Sequence, residues 1–236
     1  MCQRRLGIRN RVWSCGEGMT QKSELTRQRI LECALHLFAE KGYEGTTMRD
    51  IATEAGYSLG LTYRYFTGKE DLVLVLYRSL AVELETYVNT LPLAPLADRF
   101  QLVVRKQLEI MEPHRNTLSA IFGTALNPES KASVFGDNTA DIRRQSRTIY
   151  LTVVNSAKDA PRESHRNQLA TILYGLHLIV VSFWMIDRSR DTQRTSQFLT
   201  FLHDILMLTL PLLRLPPASK ALGRLAQILG PLLGDD

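Results

Sequence analysis

Cysteine is scarce: Cys2, Cys15 and Cys33 are the only three in 236 residues. Three thiols cannot complete a disulfide set and their spacing matches no metal site, so a disulfide-stapled secreted scaffold is excluded. A reducing cytoplasm is the expected location. The five histidines (His36, His114, His165, His177, His203) have no metal-ligand spacing either. The chain has no phosphate loop, dinucleotide fingerprint or nucleophile elbow, so no residue pattern points to an enzyme or a bound cofactor. Repeats, low-complexity tracts and runs of alternating β-branched residues are also missing, which argues against a solenoid or a sheet. The N-terminus carries arginines but no apolar run, so it does not read as a secretory signal.

Long hydrophobic runs are nearly absent as well. The exception is Leu169–Ile186, with no Asp, Glu, Lys or Arg over 18 positions. That touches the length of a membrane span. Thr171, Gly175, His177 and Ser182 interrupt it, and the reading is a helix buried on all sides, with no membrane partner. Charge excess is modest. The net charge is +5, and residues 19–78 carry eight basic and eight acidic groups. Residues 1–18 carry four arginines (Arg4, Arg5, Arg9, Arg11) against Glu17. This basic arm suits a minor groove, a disordered tail, or an extension ahead of a start at Met19. A polyanionic partner is permitted, but the argument for one rests on placed residues.

What the chain does have is helical periodicity almost throughout. Ile30, Ala34, Leu37 and Phe38 recur at i, i+4, i+7, i+8 behind Thr26, and Lys41-Gly42 ends the segment. Thr46-Thr47 offers an N-cap to a short helix that buries Met48, Ile51, Ala52 and Ala55, with Gly56 as its stop. Ser58 caps a second short helix through Phe66, and Lys69 opens a longer one to about Asn89. Two short helices around a tight glycine turn make a helix-turn-helix, with Ala52 and Gly56 as the small residues where helices cross. On a helical projection Leu59, Thr62, Tyr63 and Phe66 share one side, while Gly60, Leu61, Arg64 and Tyr65 share the other. Phe66 is core, Tyr63 lies near the border, and Arg64 and Tyr65 look outward.

Beyond Pro92 and Pro95, helices are expected near 97–111, 114–126, 137–158, 162–187 and 191–213, with a short amphipathic helix after Pro216-Pro217. The fold class is all-α: a small three-helix helix-turn-helix head joined by a long helix to a larger helical-bundle body. The divisions are a basic, disordered extension over 1–23, a head over 24–84 with its helix-turn-helix at 47–66, and a body over 85–236.

The segment from Thr26 to Tyr77 closely resembles the N-terminal DNA-binding domain of TetR-family transcriptional regulators. The shared positions are Phe38-Ala39-Glu40-Lys41-Gly42-Tyr43, Thr47, Ile51-Ala52, Ala55-Gly56, Ser58, Gly60, Tyr63, Tyr65-Phe66 and Lys69. The resemblance implies a sequence-specific DNA-binding regulator, a repressor released from a palindromic double-stranded operator by a small-molecule effector. It implies that Thr47 meets a phosphate and Arg49 reaches a base edge. Ser58, Leu59, Gly60 and Leu61 would form the groove-facing nose, Arg64 would share in readout, and Tyr63, Tyr65 and Lys69 would clamp phosphates. Leu59 and Leu61 depart from the polar residues many relatives carry, and Thr62 stands where an apolar residue is usual. If Leu61 turned inward and Thr62 outward, their roles would swap.

For the body the resemblance implies a homodimer through 162–187 and 191–213. It also implies an effector pocket among the middle helices, with Phe100, Met111, Phe122, Tyr150, Tyr174, His177 and Trp184 as candidate walls. Each of these alone suits ordinary core packing better than a cavity wall. A constitutive DNA-binding or architectural protein without a pocket is the alternative reading.

Overall fold

The computed structural model describes residues 21–234. The arginines of the N-terminal arm lie outside the described residues, while Gln21, Lys22 and Ser23, expected to be disordered, are helical. The helices are α1 (Gln21–Lys41), α2 (Met48–Ala55), α3 (Leu59–Tyr65), α4 (Lys69–Val88), α5 (Leu96–Met111), α6 (Arg115–Leu126), α7 (Ala140–Asn155), α8 (Glu163–Ile186), α9 (Gln193–Thr209) and α10 (Pro216–Leu233). The described residues contain no strand, and the fold is all-α.

Two compact units divide the chain. The first takes residues up to Val82 together with Met111–Gly136, and the second takes Glu83–Ile110 with the chain from Asp137 onward. The first unit is therefore more than the expected head, because α6 packs along α1. Thr117 lies inside and donates its hydroxyl to the Leu35 carbonyl at 3.0 Å, and Ile121 is 1% exposed. Helix α1 begins before Thr26, whose hydroxyl donates back to the Lys22 carbonyl at 3.0 Å. Such a back-bond satisfies a buried hydroxyl inside a helix. Ile30, Phe38, Ile51, Phe66 and Leu72, each no more than 2% exposed, form the core of this unit.

In the second unit α8 lies against α7 and α10. They bury Ala170, Leu173, Val180 and Trp184, but the uncharged run Leu169–Ile186 is not buried on all sides as expected: Ile179 and Ile186 stay exposed in the single chain. By length and composition both α8 and Arg190–Arg214 could cross a membrane; 44% of the apolar window of α8 is buried inside the unit. The segment after Pro216-Pro217 is longer than expected, an 18-residue helix. Proline at a first helical position starts a helix, since its missing N–H would be unpaired there anyway. Helix α10 ends at Gly234, where φ is +84°, and a Cβ there would stand 3.0 Å from the backbone nitrogen of Arg144. Only glycine fits that close, left-handed seat.

Two buried ionic groups pin the loops of this unit. Arg99, 2% exposed, donates from Nε to the Val153 carbonyl at 3.1 Å and from Nη1 to the Pro92 carbonyl at 2.6 Å. Asp187 accepts from the Ser189 N–H at 2.9 Å and the Thr195 N–H at 2.9 Å, and from both hydroxyls. These bonds hold its carboxyl well below the usual range and stop α8 at the expected place. They also help fix Asp191 and Thr192 at φ 51°, which side chains rarely tolerate. Helix α9 accordingly starts at Gln193, two residues later than expected.

His203 on α9 reaches Asp98 on α5 at 2.7 Å and Asp204 at 3.3 Å. The bond to Asp98 raises the imidazole above its ordinary value against the opposing effect of burial, with lesser help from Asp204. Stability from this contact is fully present below the ordinary imidazole value and drains away as pH rises through the raised one. Both partners are partly exposed, so the contribution is at most about 1 kcal/mol. Asp98→Asn is expected to lower the unfolding free energy most at acidic pH. The gap from wild type should narrow as pH rises past the imidazole range, measured by urea titration across that range.

Candidate nucleic-acid interface and buried aromatic cluster

The helix-turn-helix is built from caps. Thr47 accepts the Asp50 N–H at 3.2 Å, while the Asp50 carboxylate accepts the Thr47 N–H at 2.9 Å and its hydroxyl at 2.6 Å. This reciprocal capping box fixes the first turn of α2 and holds the Asp50 carboxyl below its usual range. The far end closes on Gly56 at φ +77°, with the Tyr57 N–H donating to the Ala52 carbonyl at 2.9 Å. Open space surrounds the position of a Gly56 Cβ. The glycine is required for its left-handed backbone and not, as expected, for a close helix crossing. Ser58 then caps α3 by accepting the Leu61 N–H at 3.2 Å.

Helix α3 is only seven residues long, and its two faces are sharply different. Thr62 is 0% exposed and donates its hydroxyl to the Ser58 carbonyl at 3.2 Å. A threonine occupies this apolar seat because the helix itself takes up its polar atom. Phe66, 2% exposed, caps the helix, with the Arg27 guanidinium 5.1 Å from its ring centre. Gly60, Tyr63 and Arg64 are exposed, Tyr63 by 48%, and Leu59 and Leu61 are half-buried. Tyr63 thus lies further out than the border position expected for it. Arg49 on α2 is exposed as well.

Three of the expected phosphate ligands, Thr47, Tyr65 and Lys69, have internal partners. The Thr47 hydroxyl proton goes to Asp50, and Thr47 also takes the Asp50 N–H, leaving the Met48 and Arg49 N–H groups as the first-turn donors there. Tyr65 is half-buried, its hydroxyl 3.0 Å from that of Ser23. Lys69 donates from Nζ to the Tyr43 carbonyl at 2.7 Å and lies 4.3 Å from the centre of the Tyr43 ring. That contact ties the turn between α1 and α2 to the start of α4. An ammonium has three donors, so two remain for an anion. Sequence reasoning missed Ser23, Tyr43 and Arg27 as supports. All lie outside the helix-turn-helix in sequence, and no local spacing marks them.

In the second unit four of the expected pocket residues come together. The Tyr150 ring is 6.1 Å from Phe100, 6.0 Å from Tyr174 and 5.4 Å from His177, and Tyr174 and His177 are 6.0 Å apart. Spacing of i, i+3 on α8 puts the last two on one face, turned toward α7. Trp184, 1% exposed, is core of the same unit, whereas Met111 and Phe122 belong to the first unit. Burial holds the His177 imidazole down to about 4 and pushes the Tyr150 hydroxyl well up. Burial also raises the Tyr174 hydroxyl to about 12, against the pull of Ser146 and Arg143. The Tyr150 oxygen and both His177 nitrogens have no hydrogen-bond partner among the described residues. An unpaired buried polar group costs about 1–3 kcal/mol. A separate crevice of about 520 Å³, bordered by Asp159, Arg162, His165, Met207 and Arg214, includes none of the expected pocket residues.

Comparison with known proteins matches both units. Residues 30–76 match the family described as bacterial regulatory proteins, tetR family, and residues 99–215 match the tetracyclin repressor-like C-terminal domain. The HTH-type transcriptional regulator HbdR of Aromatoleum sp. is 42% identical over 69 residues, 29% of this chain and 29% of its own length. The HTH-type transcriptional repressor AcnR of Corynebacterium diphtheriae is 42% identical over 64 residues, 27% of this chain and 34% of its own. The chain thus matches about a third of the length of these relatives. A solved tetR-family transcriptional regulator from Streptomyces coelicolor superposes with a TM-score of 0.60 at 20% identity, covering 87% of this chain and 90% of that one.

Proposed function

The chain belongs to the TetR family of bacterial regulatory proteins, and from that premise we propose that it is a sequence-specific DNA-binding transcriptional regulator. It acts as a repressor that a small-molecule effector releases from a palindromic operator. One observation supports this most: α3 is a short helix, capped at both ends, whose buried face of Thr62 and Phe66 holds it rigid while Gly60, Tyr63 and Arg64 stay free. A helix so presented fits a major groove about 12 Å wide. Gly60 lets the backbone approach closely, Arg64 and Arg49 supply guanidinium forks for base edges, and Tyr63, Tyr65 and Lys69 bind phosphates. Leu59 and Leu61 supply apolar contact to thymine methyls and no hydrogen bond.

The partner copy sits on α8 and α9, where Ile186, Phe201 and Leu208 are 65%, 56% and 71% exposed in the single chain. An apolar surface of that kind on a cytoplasmic regulator calls for a cover, and a twofold dimer supplies it. Effector binding in the second unit releases DNA only if the effector prefers the conformation that binds DNA less well.

Arg49→Ala is expected to cost about 1–3 kcal/mol of operator binding and to relax preference at one base pair in each half-site. Tyr63→Phe should weaken binding a few-fold to every sequence alike, because a phosphate contact carries no base information. Fluorescence anisotropy against a panel of single-base operator variants distinguishes the two. Wild-type affinity and selectivity in both variants would contradict the placement of α2 and α3 in the groove.

A further inference from the structure

The ring cluster of the second unit carries more information than its apolar walls. Phe100, Tyr150 and Tyr174 come from three different helices and converge on His177 within 6.1 Å of one another along the chain of ring contacts. Tyr150 is 0% exposed and His177 is 7% exposed, so bulk water does not reach them freely. Even so, the Tyr150 oxygen and both ring nitrogens of His177 find no hydrogen-bond partner among the described residues. Native interiors pair nearly all such atoms, and three orphans on two stacked rings mark a place where the partner comes from elsewhere.

We propose that this cluster binds an uncharged, flat aromatic effector through a hydroxyl group that His177 and Tyr150 hold between them. The proposal deepens the reading of the second unit as the effector-binding body and rests on that reading.

The three atoms set the chemistry of the group they receive. A neutral imidazole offers one N–H and one lone pair, and a phenol offers one O–H with its own acceptor oxygen. A ligand hydroxyl can donate to the imidazole lone pair while accepting from the Tyr150 O–H, which pairs two of the three atoms without burying a charge. A carboxylate only accepts: it can take the imidazole N–H and the Tyr150 O–H, but it buries a full negative charge. Burial holds His177 neutral, so the ring supplies no cation to offset that charge. The surrounding rings favour a flat apolar body, since aromatic pairs at 4.5–7 Å centroid separation attract beyond simple burial. One cation lies near: Arg143 donates from Nη1 to Thr139 at 2.8 Å and acts on Tyr174. A carboxylate drawn by Arg143 is therefore the informative competitor.

The test is equilibrium dialysis of the full chain with three probes of one shape: 2-naphthol, naphthalene and 2-naphthoate. The same preparations are assayed for operator binding. The expected result is saturable 2-naphthol binding at least about tenfold tighter than either other probe, the ratio for one good hydrogen bond. His177→Phe and Tyr150→Phe each keep a ring of similar size, and each should bring 2-naphthol down to the affinity of naphthalene. Urea midpoints close to wild type would show that both variants stay folded.

Equal affinity of wild type for 2-naphthol and naphthalene overturns the proposal, as does tighter binding of 2-naphthoate. It also fails if the 2-naphthol preference survives in both variants, or if 2-naphthol does not bind saturably, which would leave solvent as the partner of the three atoms. Operator binding separates the two levels. If DNA is bound and 2-naphthol is not, the effector assignment alone falls; if wild type binds no DNA, the regulatory reading falls with it.

Discussion

Phe66→Ala is expected to abolish specific DNA binding while removing no DNA contact. The ring is 2% exposed, ends α3 with its N–H donating to the Thr62 carbonyl at 3.1 Å, and lies 5.1 Å beneath the Arg27 guanidinium. Truncating a buried phenylalanine costs about 3–5 kcal/mol, from lost burial and the cavity left behind. A small domain has about 5–15 kcal/mol in all, so the loss consumes a large share of it. A seven-residue helix has no stability of its own and depends on this anchor. Urea denaturation should show the midpoint falling, with the transition followed by helical circular dichroism. Phe66→Leu, which keeps most of the volume, should recover a good part of both stability and DNA binding. A variant Phe66→Ala as stable as wild type would show that α3 is held by something other than its inner face.

The second large effect is salt dependence. Residues 19–78 carry no net charge, with eight basic and eight acidic groups, so general attraction to DNA is weak. The cations that matter are placed ones: Arg49 on α2, Arg64 on α3 and Lys69 at the start of α4. Two heads on one operator present six. Each phosphate neutralised releases condensed counterions, giving a slope of about −0.9 in log affinity per log salt for each contact. The two lysines end on phosphates, while the four arginines reach base edges and neutralise the backbone only in passing, so six contacts set an upper limit of about 10³-fold loss between 50 and 200 mM salt. Lys69→Ala removes one contact from each head and should flatten the slope by about 1.8, measured by anisotropy over that range. Its ammonium also donates to the Tyr43 carbonyl, so Lys69→Arg serves as the control that keeps a charge there. A slope near zero for wild type would contradict phosphate clamping.

Most of this architecture is legible because its helix ends are marked by residues with local reasons. Gly42, Gly56, Pro161 and the Asp187 cluster each stop or start a helix where the sequence reading put them. Gly56 was legible as a stop but not in its cause: a backbone angle leaves no trace in a sequence that distinguishes it from a crossing point. Pro216-Pro217 misled in the opposite way, because a proline pair reads equally as a break and as a first turn. The inner face of α3 was readable from 100° spacing, yet the burial of Thr62 depends on a bond to its own helix that composition hides. Long-range choices were not legible at all. Nothing local says that Thr117 on α6 will reach Leu35 on α1, or that Lys69 will be held by Tyr43. For the same reason the candidate pocket divided: Phe100, Tyr150, Tyr174 and His177 converge, whereas Met111 and Phe122, chosen by size and spacing alone, fall in the other unit.

The central claim is that two copies of the α2–α3 head, fixed on one symmetric dimer, read a single operator. Selection of bound sequences from random double-stranded DNA by the full chain tests it most directly. The account predicts an enriched inverted repeat, with half-sites spaced by about one helical turn or a multiple of it. The same selection with Arg49→Ala should return that repeat degenerate at one position in each half. A single unrepeated motif, or no enrichment above the starting pool, would contradict the account.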